Sequence, residues 1–254
     1  MPGSRLTFAG AAGWTLVAAM LCGGPAAALP LADLPVVISA PPAPPPPSGP
    51  QARVFTAENP ATVLAVEIAR ALGRDAVIRP EAVQADIRVG VPGAGEDVWV
   101  DAGPPRALTV AMRSDTDILS WADLRGRRLC FTETDSQAAD LAAALGAEAA
   151  PQRAPAFSLM LVRTGECDAA LHGAAQLAAL QAMPEWEKFS ATLPPRDARP
   201  LGIAVAASRP DLLGALEDIL PALNSPAAWQ ARDARWARNV SLEVWLEQDA
   251  PDCH

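Results

Sequence analysis

The sequence has no tyrosine and a single lysine, Lys188, so its basic residues are otherwise all arginine. Aromatic residues make up only 5%, which leaves a core to be built mainly from aliphatic side chains. Histidine occurs twice, at His172 and His254, and the four cysteines contain no C-x-x-C pair. A clustered zinc site needs a denser set of ligands than that. Missing too are a G-x-S-x-G nucleophile elbow, a metal-binding motif and a phosphate-cradling loop. Carboxylates are plentiful, yet no spacing singles out a catalytic pair. The chain is therefore expected not to be an enzyme and to need no metal or cofactor. Lys and Arg total 20 against 29 Asp and Glu, a formal charge of -9, with no basic stripe. Nucleic acid is excluded as a partner, because binding phosphates takes clustered Lys and Arg. An acidic surface suits a cationic partner, and equally serves plain solvation.

What is present is enough apolar material, 50% of 254 residues, for one large or two small domains. Residues 1–28 read as an export signal. Arg5 is the one charge there, Leu6 to Cys22 is mostly apolar, and Ala26-Ala27-Ala28 has the small-x-small form of a cleavage site. Leu21 precedes Cys22, where lipoprotein processing needs a small residue. A periplasmic location is expected, and Cys130, Cys167 and Cys253 remain after cleavage. In an oxidising compartment two of the three should pair. Cys130 and Cys167 sit in strand-like segments and Cys253 lies at the chain end, so Cys130–Cys167 is the expected bond.

Residues 29–50, ending in the run APPAPPPPSGP, read as a Pro-rich linker that can form polyproline II but no packed core. From residue 51 strand and helix patterns alternate. Strands are expected over 52–56, DAVIR, DIRVGV, 107–112, 127–132, 167–171 and 201–208. Helices are expected over 62–73, 136–146, 157–165, 173–183, 210–223 and 227–237, several of them stopped by glycine. Ser136 is placed as the cap of the second helix. Such alternation predicts an α/β architecture with mainly parallel sheets.

The ordered series SWADLRGRRLCFTETDSQAADL (120–141), GECDAAL (165–171) and LGIAVAASRPDLLGALEDILPALNSPAAWQARDARWA (201–237) resembles family 3 periplasmic solute-binding proteins, of the type II fold. The resemblance spans about residues 52–240. It implies two lobes joined by two hinge strands near 108–112 and 203–207, with a ligand cleft between them. Lobe 1 would comprise 51–109 and 208–254, and lobe 2 residues 110–207. Trp229, Trp236 and Trp245 would pack the C-terminal helices onto lobe 1, and Trp99 and Trp121 would line the cleft mouth or fill core. In that fold the strands bearing Cys130 and Cys167 would be neighbours, close enough for a disulfide. TAENP (56–60), DIRVGVPGAGEDV (86–98) and PPRALTVAMR (104–113) are similar to the binding-protein-like J proteins of methanol dehydrogenase clusters, although the two Tyr of that subset's Pro-Tyr-Tyr-Arg stretch are missing from Pro104-Pro105-Arg106.

The resemblance implies ligand contacts at Thr56, Glu58, Asn59, Arg106, Thr134, Asp135, Ser136 and His172. The family receives a carboxylate on an Arg of lobe 1 and on a helix N-terminus at the turn written here Thr134-Asp135-Ser136. Asp135 sets a negative charge where an anion should sit. The Asp that receives an ammonium, six positions after the Cys of GECDA, is replaced by Gly173. Asp135 and Ser136 also fit a simple helix cap, Arg106 a surface position, and His172 an ordinary strand end. Two functions follow. One is binding a small polar solute for a membrane transporter permease. The other is service as an accessory factor to a periplasmic quinoprotein dehydrogenase.

Overall fold

The computed structural model describes residues 35–42, 56, 59–73, 76–80, 84–90 and 97–247. The expected signal peptide, Glu58 and Cys253 lie outside them, as does the strand expected over 52–56 apart from Thr56, which belongs to no strand. In chain order the elements are β1 (Val36–Ala40), α1 (Pro60–Leu72), β2 (Ala76–Pro80), β3 (Ile87–Gly90), β4 (Val98–Asp101), β5 (Arg106–Ala111), β6 (Arg128–Thr132), α2 (Ser136–Leu145) and β7 (Glu148–Gln152). They continue with α3 (Pro155–Thr164), β8 (Ala169–Gly173), α4 (Ala174–Gln181), β9 (Arg196–Arg199), β10 (Gly202–Val205), α5 (Pro210–Leu223) and α6 (Pro226–Glu247). Short 3-10 turns occupy Trp121–Leu124 and Pro184–Phe189.

The described strands form two five-stranded sheets, ordered β2-β1-β3-β10-β4 and β7-β6-β8-β5-β9. Each sheet has the same plan. Three parallel strands are followed by an antiparallel strand, β10 or β5, that the chain contributes after crossing from the other sheet. The fourth strand also pairs antiparallel with the edge strand beyond it, so the expected mainly parallel sheets are mixed in fact. The crossings fall at 102–105 and 200–201, N-terminal to the expected hinge positions. β5 and β10 are themselves fully engaged in sheet pairing, which leaves only the short segments before them to carry the chain across.

Strand β1 corrects the linker assignment. Val36-Val37-Ile38 is a β-branched run, and such side chains favour the pleated backbone. It lies at the centre of the parallel part of the first sheet, with Val36 and Ile38 fully buried. Helix α1 packs Leu64, Ala65 and Ile68 against the same core. Its ends follow from local chemistry: the Asn59 side chain accepts the Ala61 N–H at 2.9 Å, and Gly73 turns the chain left-handed at φ 60°.

The second sheet is braced by the Cys130–Cys167 disulfide, with Cα atoms 6.1 Å apart. Cys167 is not in the neighbouring strand itself. It precedes β8 by two residues, and its N–H bonds the Leu161 carbonyl at 3.0 Å, so the turn out of α3 carries it beneath β6. Two of the three C-terminal tryptophans, Trp236 and Trp245, also depart from expectation. Trp229 enters the first core, Trp236 enters the second, and Trp245 is exposed. Helix α6 runs ten residues past its expected end, and its later turns bury Val240 and Val244 against the second lobe. Among the described residues no helix is long and apolar enough to cross a membrane.

Candidate ligand cleft

A cavity of about 900 Å³ opens between the two sheets. One wall comes from the C-terminal ends of β1 and β3, where Ser39 to Pro42 and Arg88 to Gly90 lie, from Asn59 to Ala61 at the start of α1, and from Trp99 on β4. The facing wall is the β6–α2 turn, Glu133 to Gln137, together with Gly173 and Gln176 where β8 meets α4. Arg106 to Leu108 and Arg199 to Leu201 close the back, next to the two crossings. The carboxyl ends of parallel strands are where open α/β sheets hold ligands, because loops and helix N-termini converge there.

Of the residues implied by the resemblance, Asn59, Arg106, Thr134, Asp135 and Ser136 line this cavity together. Two do not. His172 is fully buried, with its Nε2 2.6 Å from the Ser158 hydroxyl and its ring 5.8 Å from that of Trp236. The strand position that sequence places beside the cleft turns the imidazole into the second core instead. Thr56 donates to Glu243 at 2.6 Å and borders a smaller hollow of about 230 Å³ between α1 and α6.

The residues that do meet are largely committed to one another. Asp135, rather than Ser136, caps α2, accepting the Ala138 N–H at 3.0 Å. A carboxylate thus already occupies the helix N-terminus that would receive an anion. Arg106 is held bidentately by Asp233 of α6, at 2.6 and 3.4 Å, with its guanidinium 5.1 Å from the Trp229 ring. At Gly173 the Gln176 side chain fills the space a Cβ would need, so no acidic side chain stands where the resemblance puts the ammonium contact.

Three residues of the cleft, Arg88, Arg199 and Gln176, carry no signal in the sequence, whereas Trp99 is where the resemblance offers a tryptophan for the cleft mouth. Arg88 pairs with Asp97 across the wall, and Arg199 pairs with Asp197 at 3.1 Å and Asp140 at 3.4 Å. Trp99 lies across Gly202 on the neighbouring strand, in space that any Cβ would occupy, and keeps about a third of its surface open. Gln176 is almost fully buried yet borders both the cleft and the smaller hollow. Behind the cleft, Glu67 of α1 takes Arg232 at 2.9 Å and Arg235 at 3.0 Å. Burial alone would raise the Glu67 pKa, but the hydrogen bonds and charges of these two arginines hold it below its usual value. Among the described residues no His, Cys, Asp and Glu side chains group as a metal site.

No protein-family model and no curated protein matches the sequence. Solved structures do match in shape. The substrate binding protein of an amino acid ABC transporter superposes with a TM-score of 0.52 at 15% identity, covering 80% of this chain and 99% of that one. Holo ArgBP from T. maritima gives 0.51 at 19%, covering 80% and 95%. The GluR0 ligand binding core in complex with L-glutamate gives 0.51 at 13%, covering 80% and 98%. Identities this low speak for architecture alone. On that evidence, and on the shared plan of its two sheets, the chain has the two-lobed type II periplasmic binding protein fold.

Proposed function

We propose that the protein is an exported solute-binding protein that holds a small polar molecule in the cleft between its lobes and presents it to a membrane transporter. The observation that carries this reading is the cavity itself. It is large enough for a metabolite, is bounded by both lobes, and gathers Arg, Asn, Thr, Ser and carboxylate side chains around an open indole. The proteins it resembles in shape are named as amino acid or arginine binders, which adds weight to ligand binding without naming the ligand.

Free α-amino acids are expected to bind poorly. Arg106 is tied to Asp233, Asp135 occupies the helix N-terminus, and Gly173 offers no carboxylate. Thermal-shift and calorimetric titration against a broad metabolite panel tests the proposal, since a ligand that binds only the folded state raises the midpoint. Folded protein that no member of the panel stabilises would count against it. Micromolar affinity for an unmodified amino acid would overturn the expectation of poor binding.

The same self-occupied cleft favours a second reading, in which the fold is kept and its surface assists a periplasmic quinoprotein dehydrogenase. Adjacent genes separate the two: a permease beside this gene supports transport, a quinoprotein dehydrogenase with its cytochrome supports the accessory role.

A further inference from the structure

We infer that the cleft selects an organic cation that carries no carboxylate. This rests on the solute-binding reading above and narrows it to a class of ligand.

Charged side chains line the cleft wall. Among the described residues, its three arginines are each already neutralised. Arg88 meets Asp97, Arg106 is gripped by Asp233 through side chains that are both mostly buried, and Arg199 lies between Asp197 and Asp140. An incoming carboxylate would have to displace one of these partners before finding a counter-charge. The α2 N-terminus is no refuge, because the Asp135 carboxylate is bonded there.

The wall's negative charge is not balanced in the same way. Glu133 lines the cleft from the turn after β6, is exposed, and has no cationic partner among the described residues. Among the described residues the lining carries three guanidinium groups and three carboxylates, Asp97, Glu133 and Asp135, and three further acids behind it, Asp140, Asp197 and Asp233, bind the same arginines, so the excess charge around the cleft is negative. A cleft with walls of one excess sign concentrates ligands of the other.

Trp99 adds the second half of the recognition. Its indole lines the same cavity and lies across Gly202, in the space a side chain there would take. An aromatic face attracts a cation through the ring quadrupole, and tryptophan does so best. An ammonium or guanidinium group thus meets an unpaired carboxylate and an indole face, whereas a carboxylate meets only occupied arginines.

The test uses ligand pairs that differ by a single carboxylate: agmatine with arginine, putrescine with ornithine, histamine with histidine. Each is titrated into the mature protein by calorimetry, beside succinate and acetate as anions. At least one decarboxylated amine should bind about tenfold tighter than its amino acid, the penalty expected for a ligand carboxylate near an unpaired one in a partly hydrated cleft. Glu133→Gln, at an exposed site that leaves folding intact, should weaken the amine about fivefold. Trp99→Leu should weaken it by a similar factor. Its melting midpoint shows whether it remains folded, and Glu133→Gln gives the same reading should it not. If amino acids or dicarboxylates bind as tightly as the amines, or if Glu133→Gln leaves amine affinity unchanged, the charge selection is wrong while solute binding stands. If no cation, zwitterion or anion binds, both readings fall.

Discussion

Breaking the Cys130–Cys167 bond should lower stability by about 3–4 kcal/mol, the chain-entropy value for a closed loop of this size. The cysteines are separated by 37 positions, and the loop contains α2, β7 and α3. Both are buried, Cys130 fully and Cys167 at 3% exposure, amid Ala111, Leu159, Ala170 and Trp186 of the second core. Reduction therefore requires opening of the lobe, and the native fold should resist a mild thiol. The cleanest comparison sets oxidised protein against protein reduced after unfolding and refolded under reductant, since the two have the same side-chain volume. A Cys130→Ala/Cys167→Ala double variant adds a small cavity cost and should fall lower still. For a chain in the 150–250-residue range, 3–4 kcal/mol corresponds to about 6–16 °C in the melting midpoint. Calorimetry reads it directly, and urea midpoints give a second measure. Equal midpoints for oxidised and reduced protein would refute the reasoning, because they would mean that the loop contributes nothing to the unfolded ensemble's entropy.

Glu67→Gln should cost about 2 kcal/mol at neutral pH by leaving the nearly buried Arg232 without its carboxylate. Because the folded pKa of Glu67 lies below its usual 4.5, this stabilisation is present above that pH and is lost as pH falls through the folded value. The gap between variant and parent in urea denaturation should therefore shrink below about pH 4.5, and a gap that grows on acidification would contradict the assignment. Asp233→Asn releases the Arg106 guanidinium into the cleft, so calorimetry should show arginine gaining affinity relative to agmatine; an unchanged ratio would mean that Asp233 does not neutralise Arg106 toward ligands. Gly202→Ala puts a methyl group where the Trp99 indole lies, so its tryptophan emission should shift to the red as that ring moves into water; an unshifted spectrum would show that the ring accommodates the methyl group without moving.

The elements that could be read from sequence are those whose ends carry their own chemistry. Helix α1 is bounded by Asn59 and Gly73, and α5 opens on Pro210 with Asp211 behind it. Pro221 sits in the last turn of α5, and the helix stops two residues later. What escaped is structure imposed by neighbours. β7 is written Glu-Ala-Ala-Pro-Gln and has little strand propensity, yet it pairs with all five residues of β6. β9, Arg-Asp-Ala-Arg, is a polar edge strand held against β5. β1 has the β-branched residues of a strand, but the prolines that follow it give the stretch the composition of a linker.

The cleft shows the same division. The β6–α2 turn was accessible because a resemblance marked it, and Asp135 is where that resemblance put it. The arginine pairings made through α6 were not, for a physical reason: their partners are distant in sequence. Arg106 and Asp233 are 127 positions apart, and Glu67 and Arg232 are 165 apart. Helix α6 seats Trp229 in the core of one lobe and Trp236, Val240 and Val244 in that of the other. On the same stretch it carries Asp233 to Arg106 beside a crossing, and Arg232 to Glu67 on α1. The helix that ties the lobes together is thus also the one that removes a cation from the ligand wall. A change in how α6 sits on either core would alter both the angle between the lobes and the charge the cleft offers.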